Sequence, residues 1–132
     1  MRCFLQAQTG TASVTVQITK VRSAAGKVIV GIWNSKDGFP KVSSTAFRQA
    51  SVSIANGAAI ATFLNVPNGE YAVAAFHDEN NNGKFDKRFA GIPIEGVGAS
   101  NNPHPRFSAP TFSECRFDVH DRDKTISITM FY

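Results

Sequence analysis

The chain has 132 residues, 42% of them hydrophobic, which is enough to bury a core in one domain without a metal or disulfide staple. Its formal charge of +4 comes from Lys and Arg scattered singly or in pairs such as Lys87-Arg88, with no basic stripe, so composition argues against a nucleic-acid partner. No apolar run is long enough to cross a bilayer, which leaves only an indirect link to a membrane.

Residues 1–10 read as a disordered stub ahead of a single domain over residues 11–132. The stretch Met1-Arg2-Cys3-Phe4-Leu5-Gln6-Ala7-Gln8 lacks the apolar core of a signal peptide, although it is compatible with the remnant of a trimmed leader. Cys3 and Cys115 show no metal-site spacing. With Cys3 in the stub, two unpaired thiols are expected; an oxidising compartment would allow them to close one long loop.

Ala12, Val14, Val16 and Ile18 alternate with Ser13, Thr15, Gln17 and Thr19, the period of a strand with one wet face. Over residues 27–34, Val28, Val30 and Ile32 face one way and Ile29 and Trp33 the other, predicting a central strand covered on both sides. Residues 35–48, with Asp37-Gly38 and Pro40, predict a loop holding one short helical turn at residues 44–48. Residues 52–54 and 58–64, divided by Asn56-Gly57, predict a hairpin. Pro67-Asn68-Gly69 predicts a turn into a near-continuous apolar strand over residues 70–77, which delivers Asp78 to a rim. Residues 87–110 are rich in Gly, Pro, Asn and Ser and predict a long loop without a core strand. Strands over residues 114–120 and 124–132 close the chain. Eleven phenylalanines against one tryptophan and two tyrosines suit core filling. The expected fold class is all-β, a single antiparallel β-sandwich of about seven strands.

The segment His77-Asp78-Glu79-Asn80-Asn81-Asn82-Gly83-Lys84-Phe85-Asp86 carries the most specific pattern. A calcium loop supplies side-chain oxygens at positions one, three, five and nine and a carbonyl at seven, with glycine at six for the sharp turn. Asp78, Asn80, Asn82, Gly83, Lys84 (through its carbonyl) and Asp86 fall on those positions in order, while position twelve is Phe89 where a bidentate glutamate belongs. Glu95 is the first candidate to replace it, ahead of Glu79, which lies between two ligand positions. Two aspartates and one borrowed carboxylate beside Lys84, Lys87 and Arg88 predict weak affinity, on the order of 0.1–1 mM, useful only where calcium is abundant. The competing reading is a polar hairpin, because Asn82-Gly83 is a strong type I′ signal by itself.

Other chemistry is weakly supported. His77, His104 and His120 form no local metal motif, and His77 is expected to orient the loop through a hydrogen bond. Gly96-Val97-Gly98-Ala99-Ser100 is not a nucleophile elbow, and Gly96-x-Gly98 neither follows a clear strand nor opens a helix. A hydrolase using His77, Asp78 and Glu95 is compatible with the spacing.

Val66-Pro67-Asn68-Gly69-Glu70-Tyr71-Ala72-Val73, then residues 76–86, then Gly91-Ile92-Pro93-Ile94-Glu95-Gly96 and Ser100-Asn101-Asn102, together resemble the bacterial domain of unknown function 2141 family. The resemblance extends over residues 12–132. It implies a small exported protein, periplasmic, envelope-associated or secreted, with an immunoglobulin-like or transthyretin-like sandwich and no established activity. It also ties the Asp-rich loop to residues 91–102 as one unit, making His77, Ser100, Asn101 and Asn102 a candidate ligand rim. In this sequence Gly98-Ala99 replaces the aromatic residue that the family usually has before Ser-Asn-Asn.

Three functions fit. One is a non-enzymatic binding module whose loop, with calcium as its possible cofactor, presents residues 87–110 to an unknown protein or glycan. The second is a small-ligand binder or hydrolase with a pocket between residues 77–86 and 91–105. The third is a structural partner in an envelope assembly, joined through exposed edge strands.

Overall fold

The alternation at the start of the chain becomes β1 (Thr11–Thr19), with Ala12, Val14, Val16 and Ile18 buried and the intervening side chains toward solvent. In the computed structural model, which describes residues 10–40, 43–79, 96–103 and 110–132, this strand is the centre of a three-stranded sheet. It pairs antiparallel with β4 (Ala59–Pro67) and parallel with β8 (Lys124–Thr129).

The second sheet is built on β2 (Lys27–Trp33), whose residues are apolar on both faces because both are covered. Its order is β3 (Arg48–Val52), β2, β5 (Gly69–Asp78) and β6 (Val97–Ala99). The short strand β7 (Phe117–Val119) pairs with Gly69, Glu70 and Tyr71 of β5, whereas β6 pairs with Ala74, Ala75 and Phe76. Val28, Val30, Ile32, Val73 and Ala75 meet the apolar face of β1 in the main core. On the opposite face of β2, the Trp33 indole lies over Gly31, where a Cβ would collide with the ring. Its Nε1–H donates to Thr45 Oγ1 at 3.1 Å, and Phe39 meets it edge-on at 5.2 Å between centroids.

The protein is thus an all-β, two-sheet sandwich, with four departures from the expected layout. First, the Asn56-Gly57 turn forms with both residues at positive φ, 55° and 74°, and Ala55 and Ala58 exchange backbone hydrogen bonds. The strands beside it nevertheless diverge: β3 pairs with β2 in one sheet and β4 with β1 in the other, so the turn is a corner rather than the tip of a two-stranded hairpin. A turn signal specifies local backbone geometry, while burial of apolar faces selects the partner strand. Second, β1 and β8 are parallel, so the sandwich is not purely antiparallel.

Third, residues 87–110 do contain a strand. Val97-Gly98-Ala99 forms β6, where a Cβ on Gly98 would collide with Ile128 Cγ2 and crowd Met130 Sδ at 3.3 Å. Fourth, the segment expected as a strand over residues 114–120 divides. Thr111 and Glu114 form a reciprocal capping box that starts one helical turn, α1 (Phe112–Cys115), before β7 begins. Eight strands result among the described residues. The short helical turn expected at residues 44–48 is a 3-10 turn at Ser43–Thr45.

Two side chains secure the crossings between sheets. At the β4–β5 crossing, the Tyr71 hydroxyl donates to the Pro67 carbonyl at 2.6 Å, an arrangement like the tyrosine corner of Greek-key sandwiches. Arg48 on β3 donates to the carbonyls of Leu64 and Asn65, joining the sheets and covering part of the β4 edge.

Candidate functional site at the root of the 78–86 loop

The apolar run of β5 ends with two polar residues that are fully buried, His77 and Asp78. Side chains alternate along a strand, so His77 shares the face of Val73 and Ala75, at the end of the main core. Burial requires both of its ring nitrogens to be satisfied. Nε2 lies 2.8 Å from the Ala25 carbonyl, which can only accept, so Nε2 carries the proton. Nδ1 then accepts from the Tyr132 hydroxyl at 2.7 Å, and that oxygen in turn accepts the Arg22 backbone N–H at 3.0 Å. Each group in this chain has one consistent direction.

The next residue, Glu79, is held from the same side. The Arg22 guanidinium grips its carboxylate with two nitrogens, Nε at 3.0 Å from Oε2 and Nη2 on Oε1, and the Ser23 hydroxyl donates to Oε2 at 3.0 Å. Arg22 also lies 4.5 Å above the centroid of the Tyr132 ring. Beneath these residues Gly26, at φ 68°, presses against the backbone of Asp78 so closely that a Cβ would overlap the Asp78 carbonyl oxygen. Across the mouth, the His77 N–H donates to the Gly96 carbonyl at 2.9 Å, and Val97 and Phe131 exchange two bonds of 2.8 Å. The root therefore joins the β1–β2 connection, the end of β5, the start of β6 and residues 131–132.

The Arg22 hydrogen bonds hold the Glu79 carboxyl below the usual carboxylate range, reinforced by Ser23 and opposed by partial burial; the same pairing raises the Arg22 pKa. A carboxyl whose folded pKa is depressed stabilises the fold above its unfolded pKa, about 4.3, and loses that contribution as pH falls through the folded value. Arg22 is 49% exposed and Glu79 24%, so solvent screening limits the pair to about 0.5–1 kcal/mol. Urea titrations of wild type and Glu79→Gln are expected to differ by that amount at pH 7 and to converge only once the pH has fallen below the depressed folded pKa of Glu79. Burial raises the Tyr132 hydroxyl pKa, keeping it protonated as the donor that His77 needs.

Of the six expected ion ligands, Asp78 sits at this root, and Asn80, Asn82, Lys84, Asp86 and Glu95 lie outside the described residues. Among the described residues no group of three or more His, Cys, Asp or Glu gathers to hold a metal. The expected pocket between residues 77–86 and 91–105 also falls largely outside them. His104 lies outside as well, while exposed His120 has Nε2 3.7 Å from Asp121 Oδ2. An open groove of about 410 Å³ near His120, lined by Asn68, Glu70 and Asp118 among others, is at the start of β5, the end remote from Asp78.

The residues expected at a ligand rim have protein partners. Ser100 is fully buried; its hydroxyl donates to the Cys115 carbonyl at 2.6 Å and accepts the Val73 N–H at 3.0 Å. Asn101 donates to the Glu114 and Arg116 carbonyls at 3.1 and 3.0 Å. Asn102 donates to the Ser127 carbonyl at 3.2 Å and accepts the Thr129 N–H at 2.9 Å, binding along β8 as an adjacent strand would. Positive φ at both asparagines, 66° and 44°, turns their amides toward these partners. Ser100-Asn101-Asn102 is thus a joint between β5, the α1–β7 segment and β8. Sequence reasoning missed Arg22, Ser23 and Tyr132, which stand more than 50 residues from their partners and form no local motif.

Fold and root together define a β-sandwich with a braced polar cluster at the end of a central strand. The chain belongs to the bacterial family described as uncharacterized protein conserved in bacteria (DUF2141), which matches residues 16–127. Comparisons with curated proteins and with solved structures gave no match.

Proposed function

We propose that this protein is an exported, non-enzymatic binding module whose loop from Asp78 to Asp86 takes up calcium weakly and thereby orders the following loop for a protein or glycan partner. The observation that carries the reading is the position of Asp78. The first residue of the oxygen-spaced motif is a fully buried aspartate at the end of a central strand, with its backbone fixed by Gly26 and by pairing with Lys27. Calcium sites bind through several oxygens held at once, and an immobile first ligand lowers the ordering cost of the others. Asn80, Asn82, the Lys84 carbonyl and Asp86 would complete the loop, with Glu95 in place of the missing bidentate residue. A dissociation constant of about 0.1–1 mM suits an extracytoplasmic setting.

At 10 mM calcium such a site stabilises the fold by about 1.4–2.7 kcal/mol. For a domain of this size the melting temperature is expected to rise by several degrees, roughly 4–10 °C, and to return on chelation. Magnesium, which demands a smaller octahedral shell, should give much less. Asp86→Ala should abolish the calcium response. A wild-type melting temperature that is the same in calcium and chelator would overturn the reading.

A further inference from the structure

We propose that Tyr132 is a positioning residue for the mouth of this loop, holding its entering and returning strands in one fixed relation; the consequence for ion binding rests on the calcium reading above. Tyr132 touches both sides. Its hydroxyl binds His77 on the entering strand, and its ring packs on Gly96 at the return, where a Cβ would run into Cε2 and Cζ. Arg22 lies over the same ring while gripping Glu79, so a third segment is tied to the entering strand.

The chemistry requires a tyrosine. A hydroxyl can accept from the Arg22 N–H and donate to His77 Nδ1 at once, whereas phenylalanine keeps the ring contacts and loses both bonds. The His77 N–H bond to Gly96 and the Val97–Phe131 bonds then depend on a brace with one member missing. A mouth that opens more often presents Asp78 in more positions, and the ion must offset the cost of ordering it. Tyr132 therefore acts on affinity by fixing His77, next to the first ligand, and Gly96 at the return, rather than by contacting the ion.

The test uses the whole chain with Tyr132→Phe, Gly96→Ala and, as a core control at the opposite end of the sandwich, Val66→Ala. Amide hydrogen exchange is followed at His77 and Val97 across the mouth and at Val16 in β1, and calcium affinity is measured by titration calorimetry. Tyr132→Phe and Gly96→Ala are expected to speed exchange at His77 and Val97 by about 10-fold relative to Val16. They should also weaken calcium binding by about 10-fold, with Val66→Ala within about twofold of wild type. Unaltered exchange at His77 and Val97, or acceleration in proportion at Val16, overturns the positioning role. If wild type binds calcium and Tyr132→Phe binds it equally well, the proposed effect on ion binding is overturned. If wild type takes up no calcium, the calcium reading fails and the exchange data alone decide the role of Tyr132.

Discussion

Gly26→Ala is expected to lower stability by about 2–5 kcal/mol in urea denaturation, and Gly57→Ala by only about 1–2 kcal/mol. Both glycines have positive φ, 68° and 74°, so both substitutions incur the left-handed backbone cost of about 1–2 kcal/mol. Their surroundings differ. At Gly57 the nearest atom to a new Cβ is the Val21 carbonyl oxygen at 3.6 Å, an ordinary contact. At Gly26 it would overlap the Asp78 carbonyl oxygen, and backbone on both sides must move, adding about 1–3 kcal/mol as in an overpacked core. Because Lys27 pairs with Asp78, that movement reaches the first residue of the loop. Equal losses for the two variants would mean that the 22–26 connection does not press on Asp78.

Ser100→Ala is expected to cost about 2–4 kcal/mol, which separates a structural serine from a ligand-contacting one. The hydroxyl accepts from Val73 of β5 and donates to the Cys115 carbonyl at the end of α1, within a residue that has no solvent exposure. Its loss removes a partner from two buried backbone groups, each at about 1–3 kcal/mol, with partial relaxation reducing the sum. A serine exposed on a rim would change stability by less than about 0.5 kcal/mol when truncated. A thermal melt distinguishes these values. If Ser100→Ala melts with wild type, the joint between β5 and α1 does not depend on this hydroxyl.

Strands with strong local signals were readable in the sequence. Alternation in β1 and the two-sided apolar character of β2 and β5 follow from burial of one face or both, and the structure has them as expected. Asn56-Gly57 announced its turn but not the divergence of β3 and β4, because both strands satisfy the turn while burying their apolar faces in different sheets. β6 was hidden by its composition. A three-residue strand with glycine at its centre shows no apolar period, and the need for that glycine arises from Ile128 and Met130 about 30 residues away.

The root of the loop was legible only in part. His77 and Asp78 stood out at the end of an apolar run, and a hydrogen-bonding role for His77 agrees with both of its ring contacts. Arg22, Ser23 and Tyr132 gave no such signal, since pairs separated by 55 to 57 residues meet only through sheet topology. Ser100-Asn101-Asn102 read as a candidate ligand rim. Left-handed backbone at two successive exposed asparagines also directs their amides onto neighbouring carbonyls and an N–H group, a conformation that composition does not reveal.

Uptake of calcium itself is the most direct measurement, by equilibrium dialysis of the wild-type chain and Asp86→Ala against labelled calcium from 10 µM to 10 mM. One ion per chain with half-saturation at about 0.1–1 mM, lost in Asp86→Ala, is the expected result. Uptake that stays linear to the highest concentration, or saturation identical in the variant, would contradict a calcium site in this loop and leave it a polar hairpin.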